Sequence, residues 1–150
     1  WAALDFAPPG DQFGCFTSND WVTASADGVI ARAENGAVVL DLDGDGYEQS
    51  GWTILYMHIE SRDRLPAGTR VKAGDRLGHP SCEGGVSDGT HVHVARRYNG
   101  EWISADVGIP FVMSGWVSSG EGEEYSGTLT RGGEVVYSWN GRVDENQIGQ

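Results

Sequence analysis

The triplet His91-Val92-His93 is the part of this sequence best suited to chemistry. On an extended strand, residues two apart point to the same face. The spacing therefore predicts two imidazoles projecting together. Such a pair suits a metal ion, or one metal ligand beside one acid/base group; two half-exposed histidines on a sheet face are the plainer alternative. His58 ends the apolar run WTILYMHI, whose neighbours predict burial, where an unpaired charge is costly. Alone it reads as a satisfied core histidine; beside the triplet it becomes a third candidate. Asp5, in AALDFAPP, is a single carboxylate inside an apolar run and needs a partner. A metal ion would satisfy it, and so would a turn before Pro8-Pro9. His79, in LGHPSCEGG, reads as a structural or solvent-facing residue of a rim loop.

A second cluster has oxygen donors only. The run from Asp41 to Gly46 places Asp41, Asp43 and Asp45 at alternate positions with a glycine for the bend, as calcium loops do. The twelfth position is Trp52, where an EF-hand needs glutamate, and the flanks read as strands. The three aspartates are therefore a candidate calcium site, with Glu48 or Gln49 as supplementary donors, weighed against a solvated turn. Trp21, Trp52, Trp102, Trp116, Tyr56 and Tyr98 are candidates to line a groove for a peptide or glycan, or simply to pack the sheet.

The elements that must position these residues are short strands. Residues 27–46 form two β-branched bursts around Asn35-Gly36, a strong hairpin signal. WTILYMHI is a further strand, LPAGTRVKAGDRLGHPSC has the turn–strand–turn rhythm of a barrel-sandwich hybrid, and GTHVHVARRYNGEWI alternates before turning at Asn99-Gly100. Near the end, YSGTLTRGGEVVYSWNGR predicts another hairpin through Gly132-Gly133. No long stretch holds helical spacing. The expected class is all-β, an antiparallel sheet of the barrel-sandwich hybrid type with a groove. Residues 1–113 form the main domain and 114–150 a C-terminal β extension, separated by an acidic loop over 114–127.

The 150 residues suffice for one domain with a real core. Glycine, at 23 residues, fits a turn-rich β chain. The net charge of −12 repels phosphate backbones and anionic membranes, so nucleic acid and membrane surfaces are excluded as expected partners. No apolar run approaches a membrane span. The two cysteines, Cys15 and Cys82, are not a CxxC clip; as residues they are compatible with free thiols or one disulfide. The VKAGDRLG rhythm also suggests a lipoyl- or biotin-carrier domain, but Lys72 does not sit at a suitable hairpin tip and the histidines would be unexplained.

Taken in order, ALDFAPP, ILYMHI, AGTRVKAGDRLGH and GTHVHVARRYNGEWI resemble the lysostaphin/LasA/LytM-type zinc metallopeptidases, most closely the LasA-like branch, over about residues 1–105. The resemblance implies a secreted zinc endopeptidase that cuts peptide cross-links of bacterial peptidoglycan. It makes Asp5 and His93 zinc ligands and His58 and His91 catalytic histidines. In that chemistry zinc polarises the scissile carbonyl and acidifies a water, while histidine moves the proton. An extracellular setting favours a Cys15–Cys82 disulfide, which would stabilise the fold by roughly 4 kcal/mol.

One departure matters. The family pattern has a further histidine ligand before the aspartate, and no histidine precedes Asp5. In its compact form, HxxxD, that ligand would fall at Trp1. In the LasA-like branch the gap is longer, and the expectation places the ligand upstream of Trp1. The alternative function is a catalytically incomplete module of the same fold, with a wall-binding or extracellular structural role.

Overall fold

The computed structural model of the chain describes residues 2–139 and 144–148. Trp1, where the compact spacing would need its ligand, lies outside the described residues. These residues form strands, one 3-10 turn (Asp144–Asn146) and no α-helix. None is a helix long and apolar enough to cross a membrane. Contacts divide the chain into two compact units, Leu4–Trp102 and a second that includes residues 103–139.

The first unit holds β1 (Ala3–Phe6), β2 (Val22–Thr23), β3 (Gly28–Glu34), β4 (Ala37–Asp41), β5 (Trp52–Met57), β6 (Arg70–Val71), β7 (Arg76–Gly78), β8 (Val92–Tyr98) and β9 (Glu101–Ile103). Its main sheet runs β1-β8-β5-β4-β3-β6, with β9 paired to β8; β2 and β7 form a small second sheet. The sheet is open and its pairs along β6-β3-β4-β5-β8 are antiparallel. The expected all-β, antiparallel architecture is thus met, and the sheet does not close into a barrel.

Sequence explains the centre. All five residues of β4, Ala37 to Asp41, are buried, which suits a strand covered on both faces. Ile30, Val38, Leu40, Ile59 and Leu77 are wholly inaccessible and anchor the core. The turn between β3 and β4 has positive φ at both Asn35 (50°) and Gly36 (74°), as a two-residue primed hairpin requires. Asn99 and Gly100 do the same between β8 and β9. At Gly36 a side chain is also sterically excluded, because a Cβ would lie 2.2 Å from the Glu83 carbonyl oxygen.

The second unit contains β10 (Val112–Met113), β11 (Trp116–Gly120), β12 (Gly127–Arg131) and β13 (Glu134–Tyr137), paired in that order. The expected hairpin through Gly132-Gly133 joins β12 to β13. Phe111 and Trp116, at 5% and 3% exposure, are buried aromatics of this unit, with the Arg131 guanidinium 4.5 Å from the Trp116 ring centre.

Candidate active site

The site grows from the start of β8. His91 forms an isolated bridge with Ser81, and His93 is the second residue of β8, paired with Met57 of β5. Val92, between them, is buried. Alternation therefore sends Val92 to the core and leaves both histidines on the other face. β1 runs beside β8 and brings Asp5 in: its Oδ1 lies 2.8 Å from His93 Nδ1 and 3.8 Å from His91 Nε2. His58 follows β5, and its ring centre stands 4.4 Å from that of His91 and 6.3 Å from that of His93. Four residues separated by up to 88 positions thus meet at one end of the sheet.

His58 reaches this place through unusual backbone. Its φ of 65° is left-handed, a region that costs a side-chain-bearing residue of order 1 kcal/mol or more. The turn is held by its own carbonyl, which accepts from both the N–H (2.7 Å) and the hydroxyl (2.9 Å) of Ser81.

The hydrogen bonds also assign the ring protons. A carbonyl oxygen can only accept, so a ring nitrogen within bonding distance of one must donate. His58 Nδ1 lies 3.0 Å from the Glu83 carbonyl and His91 Nδ1 lies 2.7 Å from the Gly89 carbonyl. In its neutral form each ring therefore presents Nε2 as the unprotonated acceptor. Burial pushes His58 below its ordinary pKa; the Glu83 carbonyl opposes this, and the neighbouring His91 and His93 add to it. A neutral His58 is thereby favoured at neutral pH. For Asp5, burial resists ionisation, but the His93 hydrogen bond and the charges of His93, His91 and His58 outweigh it and leave the carboxyl below its usual range.

Asp5 and His93 are donors of the types zinc takes, two of the three protein ligands of a catalytic zinc site. Zinc takes imidazole nitrogen and carboxylate oxygen at about 2.0–2.2 Å. Asp5 Oδ1 and His93 Nδ1, 2.8 Å apart, are close enough to share one such ion. They are two protein ligands; the histidine that the sequence resemblance expects before Asp5 is not among the described residues.

Loops on two sides frame the cluster. Cys15 and Cys82 are joined in a disulfide across a separation of 67 residues. Beside it, Thr90 N–H donates to Gly14, Phe16 N–H donates to the Thr90 hydroxyl (2.8 Å), and that hydroxyl donates to the Phe16 carbonyl (2.7 Å). The loop carrying the Glu83 and Gly89 carbonyls is therefore tied to residues 14–16.

Other sequence candidates fall elsewhere. His79 is buried with Nδ1 donating to the Asp20 carbonyl (2.7 Å), Nε2 3.5 Å from Asp63, and its ring against Trp21. Tyr56 is 2% exposed and bonds Ser25, so it packs the core and does not line a groove; Trp116 is likewise buried. Trp102 and Tyr98 remain about half exposed, with Arg97 stacked 3.8 Å over Trp102.

Asp41, Asp43 and Asp45 do come together: one oxygen from each lies within 4.8 Å of the others. Asp41 is fully buried and accepts from the N–H groups of Asp43 and Gly46, while Asp45 accepts from Tyr47 and the Ser50 hydroxyl. The Asp45 N–H favours ionised Asp43, but contact with Asp41 and the charges of Asp41 and Asp45 win and push Asp43 above its ordinary pKa. Glu48 does not supplement this loop; both its oxygens bind Arg32, at 3.1 and 3.2 Å.

What sequence reasoning missed were the supports: Ser81 and the carbonyls of Glu83 and Gly89. Only the histidines they hold carried a signal, because a backbone carbonyl has no residue type.

Comparisons with known proteins give the family. The model of "Peptidase family M23" matches residues 9–105, a span that begins after Asp5. "Protease LasA" from two strains of Pseudomonas aeruginosa is 31% identical over 91 residues, 56% of this chain. The chain covers 22% of the length of those relatives. Among solved structures, the M23 metalloprotease pseudoalterin, described as from the deep sea, superposes with a TM-score of 0.72 at 25% identity, over 94% of this chain and 82% of its own.

Proposed function

The chain belongs to peptidase family M23, and from that premise we propose that it is a secreted zinc endopeptidase that cuts the peptide cross-links of bacterial peptidoglycan. The observation that carries the reading is the convergence of Asp5, His58, His91 and His93, with the Nε2 atoms of His58 and His91 free to accept protons. Asp5 and His93 are the metal-holding residues. A zinc ion there supplies Lewis-acid polarisation of the scissile carbonyl and acidification of a water. His58, kept neutral by burial, takes a proton at Nε2 and delivers it to the departing amine. His91, its ring 4.4 Å from that of His58 and its Nε2 3.8 Å from Asp5, stabilises developing negative charge once that Nε2 has taken a proton. The disulfide is consistent with an oxidising compartment and so supports secretion. The acidic chain suits a neutral or cationic peptide.

The test is zinc content by elemental analysis after dialysis against metal-free buffer, with release of new amino groups from purified peptidoglycan. About one zinc per chain and amine release are expected. No zinc and no release would reject the reading in favour of an incomplete, wall-binding or structural module.

We also propose that Asp41, Asp43 and Asp45 bind calcium, supported by their three converging carboxylates. Calcium at about 100 times its Kd should stabilise the fold by about 2.7 kcal/mol, a rise in Tm of roughly 5–10 °C for a chain of this size. Magnesium should not reproduce the rise, and Asp43→Asn with Asp45→Asn should remove it. A Tm indifferent to calcium would reject the site.

A further inference from the structure

Ser81 is 8% exposed, between β7 and β8, and every polar atom it has goes to the histidine-bearing segments. Its N–H (2.7 Å) and hydroxyl (2.9 Å) both donate to the His58 carbonyl. Its carbonyl accepts from His91 N–H at 3.3 Å. Its hydroxyl oxygen accepts from Glu83 N–H at 2.9 Å. Glu83 then returns to His58, its carbonyl taking the Nδ1 proton at 3.0 Å. The circuit closes: His58 backbone to Ser81 hydroxyl, to Glu83, to the His58 ring.

The Glu83 side chain is anchored through Ser61 (2.9 Å) and sits 3.6 Å from Arg64. That anchor fixes where Glu83 sits, not which way its peptide group turns. Gly84 and Gly85 follow in left-handed backbone, at φ of 73° and 60°, a conformation that glycine adopts readily. The bond from Glu83 N–H to Ser81 sets the peptide that leads into Glu83, on the near side of the residue whose carbonyl meets His58. On the other, the Gly36 turn closes against the Glu83 carbonyl.

We propose that Ser81 is a positioning residue of this active site: its hydroxyl holds the Glu83 carbonyl where it fixes the plane and tautomer of His58, while its backbone holds His91 in the same frame. The inference rests on the assignment of His58 and His91 as the proton-handling pair. Alanine at 81 keeps the backbone bonds but leaves Glu83 N–H without its acceptor and His58 with one donor fewer. The ring then loses its fixed orientation, and misplacement of a reacting group by about 1 Å costs on the order of 100-fold in rate.

The experiment uses the full zinc-loaded chain and a soluble cross-link peptide. Ser81→Ala is expected to lower kcat by about 10- to 100-fold with KM little changed. Ser81→Thr, which keeps the hydroxyl, is expected to recover most of that loss. On the metal-free chain, ring nitrogen NMR should report one His58 tautomer, protonated at Nδ1, in the wild type and a mixture in Ser81→Ala. A wild-type kcat and a single tautomer in Ser81→Ala would overturn the inference, and so would a Ser81→Thr variant as impaired as Ser81→Ala. His58→Ala separates the two levels. If it is inactive beside a wild-type Ser81→Ala, this inference alone fails. If it is fully active, the reading of the site fails and takes this inference with it.

Discussion

His58→Ala should lower kcat for peptide hydrolysis by about 100- to 10,000-fold, the range of a lost general acid/base, with zinc content unchanged. His93→Ala should lose zinc and activity together. The two outcomes differ because the rings are held differently. His58 Nδ1 is committed to the Glu83 carbonyl, and the ring takes no part in the Asp5–His93 contact. His93 Nδ1 is one of the two atoms of that contact, 2.8 Å from Asp5 Oδ1. Removing it leaves a single carboxylate, too little to hold the ion. Asp5→Asn should resemble His93→Ala in metal content, since an amide is a weaker zinc donor than a carboxylate. The double measurement, zinc by elemental analysis and kcat on one peptide, separates metal holding from proton transfer. Retention of zinc in His93→Ala would remove His93 from the ligand set; an active His58→Ala would remove His58 from the chemistry.

Cys15→Ser with Cys82→Ser should cost roughly 4 kcal/mol of stability, because opening a loop of this length restores entropy to the unfolded chain. For 150 residues that corresponds to a fall in Tm of roughly 8–16 °C. The disulfide joins residues 67 apart that no strand pair connects directly. Its loss leaves residues 14–16 attached to Thr90 through three hydrogen bonds, each worth about 1 kcal/mol net. The loop of residues 82–90 presents the Glu83 and Gly89 carbonyls to the two histidines. Activity should therefore decline below the melting transition as this loop loosens. Differential scanning calorimetry beside an activity–temperature curve checks both parts. An unchanged Tm would mean that packing alone holds the loop. Activity lost only at the melting transition would mean that the loop keeps its shape without the covalent tie.

The local features of the fold were open to sequence because they depend on neighbours in the chain. Asn35-Gly36, Asn99-Gly100 and Gly132-Gly133 are turns in the structure because few residues accept positive φ at two successive positions. His91 and His93 share a face because a strand repeats every two residues, and Val92 goes to the core for the same reason. The Asp41–Asp45 carboxylates converge because alternate side chains of a tight loop fall on the same side of it. Expectations drawn from residue type alone fared less evenly. Tyr56 is as aromatic as Trp102, yet its place on β5, buried at 2% exposure, makes it core.

What sequence by itself determined, then, was the strand class, the hairpins, the spacing of the histidine pair and the family to which the chain belongs. Tertiary structure decided the rest. Only the placement of β1 beside β8 puts Asp5 against His93, across 88 positions. Only the left-handed turn at His58 brings its ring to His91. Only the packing of residues 81–90 supplies the carbonyls that set both histidine tautomers. The physical reason is that turn preference and strand periodicity are written in adjacent side chains. A carbonyl acceptor or a long-range contact is made by backbone that every residue shares, and it acquires meaning only where the folded chain puts it.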